Sequence, residues 1–403
     1  MEPTLKVNFA GVSMPNPFML SSAPPTTNVE MVARCFDAGW GGAVLKTMAY
    51  DLDKYNQFQN VNPRITSVKM DNEVIGFTNF ELCSSMTLEK WAKDTAWLKK
   101  NYPDRGIFVS LLHTEGLIES QWREVTQMFD EAGADGFELN FSCSHGMAES
   151  GGGATIGGNE ELIKMVTGWV RDETKKPVMT KIPAMVDNIP RKVQAAELAG
   201  ADAIASINTL NSLPGIDIKS FIPYPNVGGH SAFQGLSGTS IKPVALRTVA
   251  QIAKSVNIPV SGIGGITNWK DAVEFILVGA SSLQVCSAVM IHGYRIIEDL
   301  KAGLLNYMRE KGFNTINDFC GLALPNIKKH NDLSRKYRLY SVIDSEICVG
   351  CGRCISACND SAYSAIRFDE NRKYAIVDKE KCDGCGLCHQ ICPVNNCIAM
   401  VQR

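Results

Sequence analysis

The sequence predicts a (β/α)8 TIM barrel over residues 1–312, a connector over 313–340, and a small C-terminal α+β domain over 341–403. Three observations carry that reading. Between Pro17 and Lys311 short apolar runs alternate with amphipathic stretches, the signature of parallel βαβ units. A weak internal repeat punctuates them: Ala38-Gly39-Trp40-Gly41, Ala132-Gly133-Ala134-Asp135, Ala199-Gly200-Ala201-Asp202 and Val278-Gly279-Ala280-Ser281 each lie between a helix and the next strand. Beyond residue 340 the periodicity ends and cysteines come in two spaced runs.

Taken in order, the strands expected are Phe18–Ser22, Ala43–Thr47, Ile107–Leu111, Gly136–Phe141, Pro177–Ile182, Ala203–Ile207, Pro259–Gly262 and Ser282–Cys286. Helical periodicity covers Leu88–Lys100, Ile118–Ala132, Glu160–Glu173, Arg191–Leu198, Pro243–Ser255 and Asn268–Leu277. Glycine in the repeated turns suits the left-handed residue that ends a helix. Eight strands so punctuated point to a closed barrel, with a doubly wound open sheet as the alternative. In the C-terminal domain Ala365–Phe368 and Tyr374–Val377 read as short strands.

Composition bounds the function. With 45% apolar and 20% charged residues in 403, the chain can bury a large core and divide into two or three domains. A net charge of −2 lacks the basic footprint of a nucleic-acid binder. Met1-Glu2-Pro3-Thr4 opens no signal peptide and no apolar run is long enough for a membrane span. The cysteines outside the two runs (Cys35, Cys83, Cys143, Cys286, Cys320, Cys397) have no paired spacing, which fits a reducing cytoplasm.

The runs read Cys348-x-x-Cys351-x-x-Cys354-x-x-x-Cys358 and Cys382-x-x-Cys385-x-x-Cys388-x-x-x-Cys392-Pro393. Three thiolates on a tight loop wrap three irons of a cubane, and a distant fourth closes it; in two-cluster ferredoxins that fourth belongs to the other cluster. Cys348, Cys351, Cys354 and Cys392 are therefore assigned to one [4Fe–4S] cluster, and Cys382, Cys385, Cys388 and Cys358 to the second. Zinc, the plainer alternative, favours two pairs separated by a loop.

A barrel carries its chemistry at the C-terminal ends of its strands. There stand Ser21-Ser22, Lys46-Thr47, the stretch Asn140 to His145, Lys181, Asn208-Thr209, Gly262-Ile263-Gly264-Gly265 and Cys286-Ser287. Gly235-Leu236-Ser237-Gly238 reads as a further glycine-rich turn before the helix at Pro243. Such turns can aim backbone amides at a phosphate. No Gly-x-Gly-x-x-Gly follows a strand, so a mononucleotide such as FMN fits better than a dinucleotide.

These stretches, with Asn140-Phe141-Ser142-Cys143-Ser144-His145-Gly146-Met147 and Gln284-Val285-Cys286-Ser287, resemble the FMN barrel of the dihydropyrimidine dehydrogenases, a relative of dihydroorotate dehydrogenase. The likeness covers nearly the whole chain and is nearest the smaller, PreA-type subunit of the bacterial two-subunit enzyme. It implies NAD(P)H-linked, reversible reduction of uracil or thymine to the 5,6-dihydropyrimidine. FAD and the nicotinamide would sit on a PreT-type flavoprotein partner, in a heterotetramer or other hetero-oligomer. Two clusters would pass electrons to FMN, hydride would go to C6, and Cys143 would protonate C5. The glycines of His145–Gly153 suit a lid over Cys143. Asn79, Asn140, Ser142, His145, Asn208 and Thr209 would bind substrate. Ser21, Ser22, Lys46, Thr47, Asn140, Lys181, Ser237, Gly238, Gly264, Gly265, Cys286 and Ser287 would bind FMN.

Each residue also has an ordinary reading. A lone cysteine such as Cys143 is commonly packing, Asn79 can be a turn residue, and Cys286 is better read as wall than as chemistry. A lysine ending an apolar strand, like Lys46 or Lys181, needs a partner, and an anionic flavin edge would be one. Ile182-Pro183-Ala184 departs from the family's Thr-Pro-Asn, and Ser144 stands where Pro often follows the catalytic cysteine, which puts the substrate in doubt. Asn359 instead of Pro after Cys358 leaves ligation intact. The alternatives are oxidation of dihydroorotate or turnover of another cyclic ureide on this scaffold, and a non-catalytic electron carrier.

Overall fold

The computed structural model describes residues 2–50, 62–112, 117–143, 152–361, 363–371 and 373–403. They form two compact units, Met1–Asn326 and Ile327–Arg403.

In the first unit eight parallel strands close on themselves: β1 (Phe18–Leu20), β2 (Gly42–Val44), β3 (Gly106–Leu112), β4 (Gly136–Asn140), β5 (Val178–Lys181), β6 (Ala203–Ser206), β7 (Val260–Ile263) and β8 (Ala280–Val285). Each pairs with its neighbours in chain order, and β8 returns to β1 through Leu283 beside Phe18. Closure rules out the open sheet.

A helix follows each strand: α1 (Val29–Ala38), α2 (Leu88–Asn101), α3 (Glu119–Glu131), α4 (Glu160–Glu173), α5 (Ile189–Leu198), α6 (Lys242–Ala253), α7 (Trp269–Leu277) and α8 (Ile296–Lys311). The repeated glycines do what the spacing requires. Gly39, Gly133, Gly200 and Gly279 have φ of 106°, 86°, 91° and 103°, the left-handed region where a side chain would be strained. Asn28, Thr87, Asn159 and Asn268 cap α1, α2, α4 and α7 by accepting from amides of the first turn. Helix faces and strands bury Trp40, Trp91, Trp122, Phe36, Phe129, Phe137 and Phe275 almost completely. An N-terminal hairpin, Val7–Phe9 with Val12–Met14, sets Phe9 edge-on to Phe108 at 6.2 Å.

Two insertions after strand ends build something the sequence reading lacks. Residues Ile65–Met70 and Glu73–Asn79 follow β2, and Leu210–Ser212 and Gln234–Gly238 follow β6; they join in one four-stranded antiparallel sheet. The glycine-rich turn expected at Gly235–Gly238 is therefore a strand. Its ladder partner, Gly76–Asn79, lies far away in sequence. At Gly238 a Cβ would sit 2.2 Å from the Ile75 carbonyl, so glycine serves close strand approach rather than a turn.

The second unit pairs Leu339–Ile343 with Ile398–Gln402, and Ile366–Asp369 with Tyr374–Val377, both antiparallel. A short helix carries the third cysteine of each run in its first turn: Arg353–Asp360 holds Cys354 and Leu387–Ile391 holds Cys388. Among the described residues no helix is long and apolar enough to cross a membrane.

Candidate active site and cluster centres

At the C-terminal ends of the barrel strands lies a cavity of about 130 Å³ that opens to solvent. Its wall gathers nearly every expected residue. Ser21, Ser22, Lys46, Thr47, Asn140, Lys181, Gly264, Gly265, Cys286 and Ser287 reach it from the strand ends, and Asn208 and Thr209 from beyond β6. The antiparallel sheet adds Asn79, Ser237 and Gly238, and Cys143 enters after β4. His145 lies outside the described residues.

A hydrogen-bonded chain orders one side. Thr47 Oγ1 lies 2.8 Å from Ser22 Oγ and 2.9 Å from Ser110 Oγ, and it accepts from Asn140 Nδ2 at 3.2 Å. Asn140 Oδ1 accepts from Ser142 Oγ at 2.9 Å, and Ser142 Oγ accepts from Asn208 Nδ2 at 3.0 Å. Ser142 is fully buried behind the wall rather than on it. It fixes the two amides that do face the cleft. Asn79 donates to the Gly235 carbonyl and accepts from the Glu81 amide, so the same side chain closes a turn and lines the cleft.

Cys143 is 8% exposed and packs with Ala49, Cys83 and Leu112. Ala154 donates its amide to the Cys143 carbonyl at 2.9 Å. Cys286 differs: burial pushes its thiol up to about 11 despite the opposing charges of Lys46 and Lys181, which makes it a neutral wall.

Two lining or supporting groups escaped the sequence reading. Glu81 lines the cleft and takes Lys46 at 3.1 Å and Arg64 at 2.6 Å. Burial alone would raise its carboxyl, but the two cations outweigh that and hold it below the ordinary value. Glu138, fully buried on β4, accepts from Lys181 at 3.3 Å and from Gln284 at 2.8 Å. A charge two residues before Asn140 in an apolar strand was the available signal for Glu138.

The wall fits a flavin mononucleotide. Ser21 Oγ and Gln284 Oε1 are buried with no hydrogen-bond partner among the described residues, and both residues line the cleft. Gly264 and Gly265 adopt φ of 122° and 78°, and a Cβ on Gly265 would stand 2.9 Å from the Gly238 carbonyl. Side chains there would fill the space that a phosphate-bearing edge needs.

In the second unit Cys348, Cys351, Cys354 and Cys392 line one cavity. Burial and then the neighbouring sulfurs push the Cys354 thiol up to about 11, so a bare thiolate is disfavoured there and a cationic guest would offset that cost. Cys358 Sγ accepts from the Ala365 amide at 3.3 Å, and Cys388 Sγ lies 2.9 Å from Ser341 Oγ, the type of contact that tunes cluster sulfurs. Among the described residues no group of three or more His, Cys, Asp or Glu side chains is arranged to hold a metal ion; the fit to clusters rests on the cysteine spacing and on the cavity that four of the cysteines share.

A barrel with this cleft, followed by paired cysteine loops, defines an oxidoreductase, and comparison with known proteins agrees. Residues 4–308 match the dihydroorotate dehydrogenase family and residues 341–400 the 4Fe-4S dicluster domain. The chain is 40% identical over 400 residues to the NAD-dependent dihydropyrimidine dehydrogenase subunit PreA of Escherichia coli, covering 98% of this chain and 95% of that one. It is 38% identical over 349 residues to the chloroplastic dihydropyrimidine dehydrogenase (NADP(+)) of Arabidopsis thaliana, covering 84% and 81%. The dihydroorotate dehydrogenase structure from Eimeria tenella superposes with a TM-score of 0.67 at 19% identity, over 80% of this chain and 90% of that one, a likeness of fold. The protein belongs to the dihydroorotate dehydrogenase family and, within it, to the PreA-type dihydropyrimidine dehydrogenase subunits.

Proposed function

We propose that the chain reduces the 5,6 double bond of uracil or thymine, reversibly, as the pyrimidine-binding subunit of a two-subunit enzyme. FMN in this cleft would supply the hydride for C6, and two [4Fe–4S] clusters held by the cysteine runs would carry electrons to it from NAD(P)H and FAD on a flavoprotein partner. The names of the relatives and the word subunit in one of them support this reading. The six cysteines outside the cluster runs have no paired spacing, which suits a cytoplasmic setting.

The chain's own residues do the rest. Asn79, Asn140, Asn208 and Thr209 offer the donors and acceptors that a flat ureide ring requires, from both sides of one cleft. Addition of hydride at C6 leaves electron density at C5, which takes one proton to complete the two-electron, two-proton reduction. Cys143 Sγ–H gives that proton and is reprotonated from solvent. Lys46 and Lys181, paired with Glu81 and Glu138, offer N–H donors to the flavin edge, and Ser237, Gly238, Gly264, Gly265 and Ser287 would hold the phosphate-bearing end. Leu82, Leu112 and Ile207 keep water from the reacting edge.

The observation that carries the proposal is Cys143 in the same cleft as the three asparagines. Anaerobic chain reduced with dithionite and mixed with uracil or thymine should reoxidise and yield the dihydropyrimidine in equal amount. If instead those bases leave it reduced, while dihydroorotate bleaches the oxidised chain, the substrate is the carboxylated ring and the proposal falls.

A further inference from the structure

Glu138 is a carboxylate in the barrel interior with no role in the chemistry above. Along β4 side chains alternate, so Gly136, Glu138 and Asn140 share the inner face while Phe137 and Leu139 face the helices. Glu138 therefore stands one layer beneath Asn140, and its side chain is fully buried. Its two oxygens are divided. Oε1 accepts from Lys181 Nζ at 3.3 Å, and Oε2 accepts from Gln284 Nε2 at 2.8 Å. Gln284 Nε2 also reaches Ser261 Oγ at 3.4 Å, so β4, β5, β7 and β8 are tied together across the interior.

Lys181 and Gln284 line the cleft, and Glu138 stands behind both. That placement has two consequences. The Lys181 cation, only 5% exposed, is offset by an adjacent anion, so a guest sees a much reduced positive field. The Gln284 amide nitrogen is committed to the carboxylate, which leaves Oε1 buried with no partner among the described residues. An acceptor oxygen is thus presented where a second donor nitrogen could have been.

We propose that Glu138 is a positioning residue that keeps the reduction potential of the cleft's flavin low, by offsetting Lys181 and by orienting Gln284. The inference rests on the flavin reading of the cleft. Reducing a flavin adds negative charge to the ring. An uncompensated ammonium beside it would favour the reduced form and weaken its power to donate hydride to a neutral pyrimidine. Offsetting that cation restores the driving force.

The test uses the full-length chain loaded with FMN and iron, titrated with redox dyes and read by its absorbance spectrum. The cluster potentials serve as an internal standard, because Glu138 touches barrel residues. Glu138→Gln keeps the shape and removes the charge. It should raise the reduced-to-oxidised flavin ratio at a fixed potential at least tenfold, about 30 mV for a two-electron couple. Glu138→Asp, which keeps the charge, should stay within about threefold of wild type. Glu138→Gln with bound flavin at the wild-type potential would overturn the proposal and leave Glu138 as packing. If that variant cannot hold flavin, the pair Glu138→Gln with Lys181→Met, which removes both charges, should return the reduced-to-oxidised ratio to within about threefold of wild type; a flavin that stayed about tenfold more reduced would overturn the proposal. Wild-type chain that binds no FMN at all would sink the flavin reading itself, a separate result.

Discussion

The two units are stabilised by different means. The barrel buries a continuous core of tryptophan, phenylalanine and aliphatic side chains, and Asn28, Thr87, Asn159, Asn188 and Asn268 cap the N-termini of five of its helices. Among the described residues of Ile327–Arg403, the buried apolar cluster is half cysteine: Cys354, Cys388 and Cys397 beside Ile366, Ala375 and Ile398. Below about 70–80 residues a single apolar core rarely supplies more than about 3–5 kcal/mol. The barrel can therefore fold around an empty cleft, whereas the small unit has made its guests part of its core. Cofactor loss should be a functional defect in the first and a folding defect in the second.

The largest effect tests that contrast directly. Cys354→Ala with Cys388→Ala removes one buried ligand from each cluster. Iron should fall from about eight per chain, the content of two cubanes, to near zero. Ile327–Arg403 should become open to limited proteolysis while the barrel keeps its thermal transition and its flavin. A double variant that resists protease like wild type would break the comparison, because the sulfurs would then be passengers in a self-sufficient fold.

Next in size is Cys143→Ala, which should leave both units folded and stop the chemistry. The side chain sits in a small apolar cluster with Ala49, Cys83 and Leu112, where alanine is tolerated. A positioned general acid contributes roughly 10²–10⁴-fold, so turnover of uracil should fall by that factor with flavin and iron retained. Cys143→Ser should be slow rather than dead. Loss of less than about tenfold would dismiss Cys143 as the acid and make His145 the next group to test.

How much of this was legible follows from which forces are local. Helix-ending glycines, capping asparagines and cysteine spacing act within a few residues, so the barrel order, Gly39 or Gly279, and the cluster runs could be read directly. The antiparallel sheet could not, because Gly235 meets Asn79 only once the barrel has brought their loops together. The same holds for the site. Residues at strand ends, such as Lys46, Asn140 and Lys181, were expected from position. Glu81 and Glu138 matter through partners on other strands, Lys46, Arg64, Lys181 and Gln284, and pairing across strands leaves no trace in spacing. Lys46 shows the limit: its need for an anion was read correctly, but a partner within the protein, Glu81, was not foreseen.

The smallest effect sharpens the comparison from the barrel side. Asp271 lies in the first turn of α7, mostly buried, and its carboxylate accepts from the Thr267 and Asn268 amides, from Thr267 Oγ1, and from Lys242 Nζ at 2.5 Å. Burial would raise its carboxyl, but Lys242 and Thr267 outweigh burial and hold it below the ordinary value. Asp271→Asn keeps the shape and one acceptor, and Lys242 keeps Glu274 at 2.6 Å, so the loss is graded. It should cost about 1–2 kcal/mol and lower the barrel Tm by a few degrees, with iron content unchanged. The pH dependence has a fixed sign. A carboxylate whose folded value is depressed contributes fully above its unfolded value of about 3.9, and that contribution is lost as pH falls through the folded value. The gap between wild type and Asp271→Asn should therefore be constant from neutral pH to about 5 and close below about 4. Urea titrations of both proteins across that range would measure it. A gap that widened on acidification would mean that Asp271 is held as the neutral acid, and the ion pair with Lys242 would no longer explain the cap.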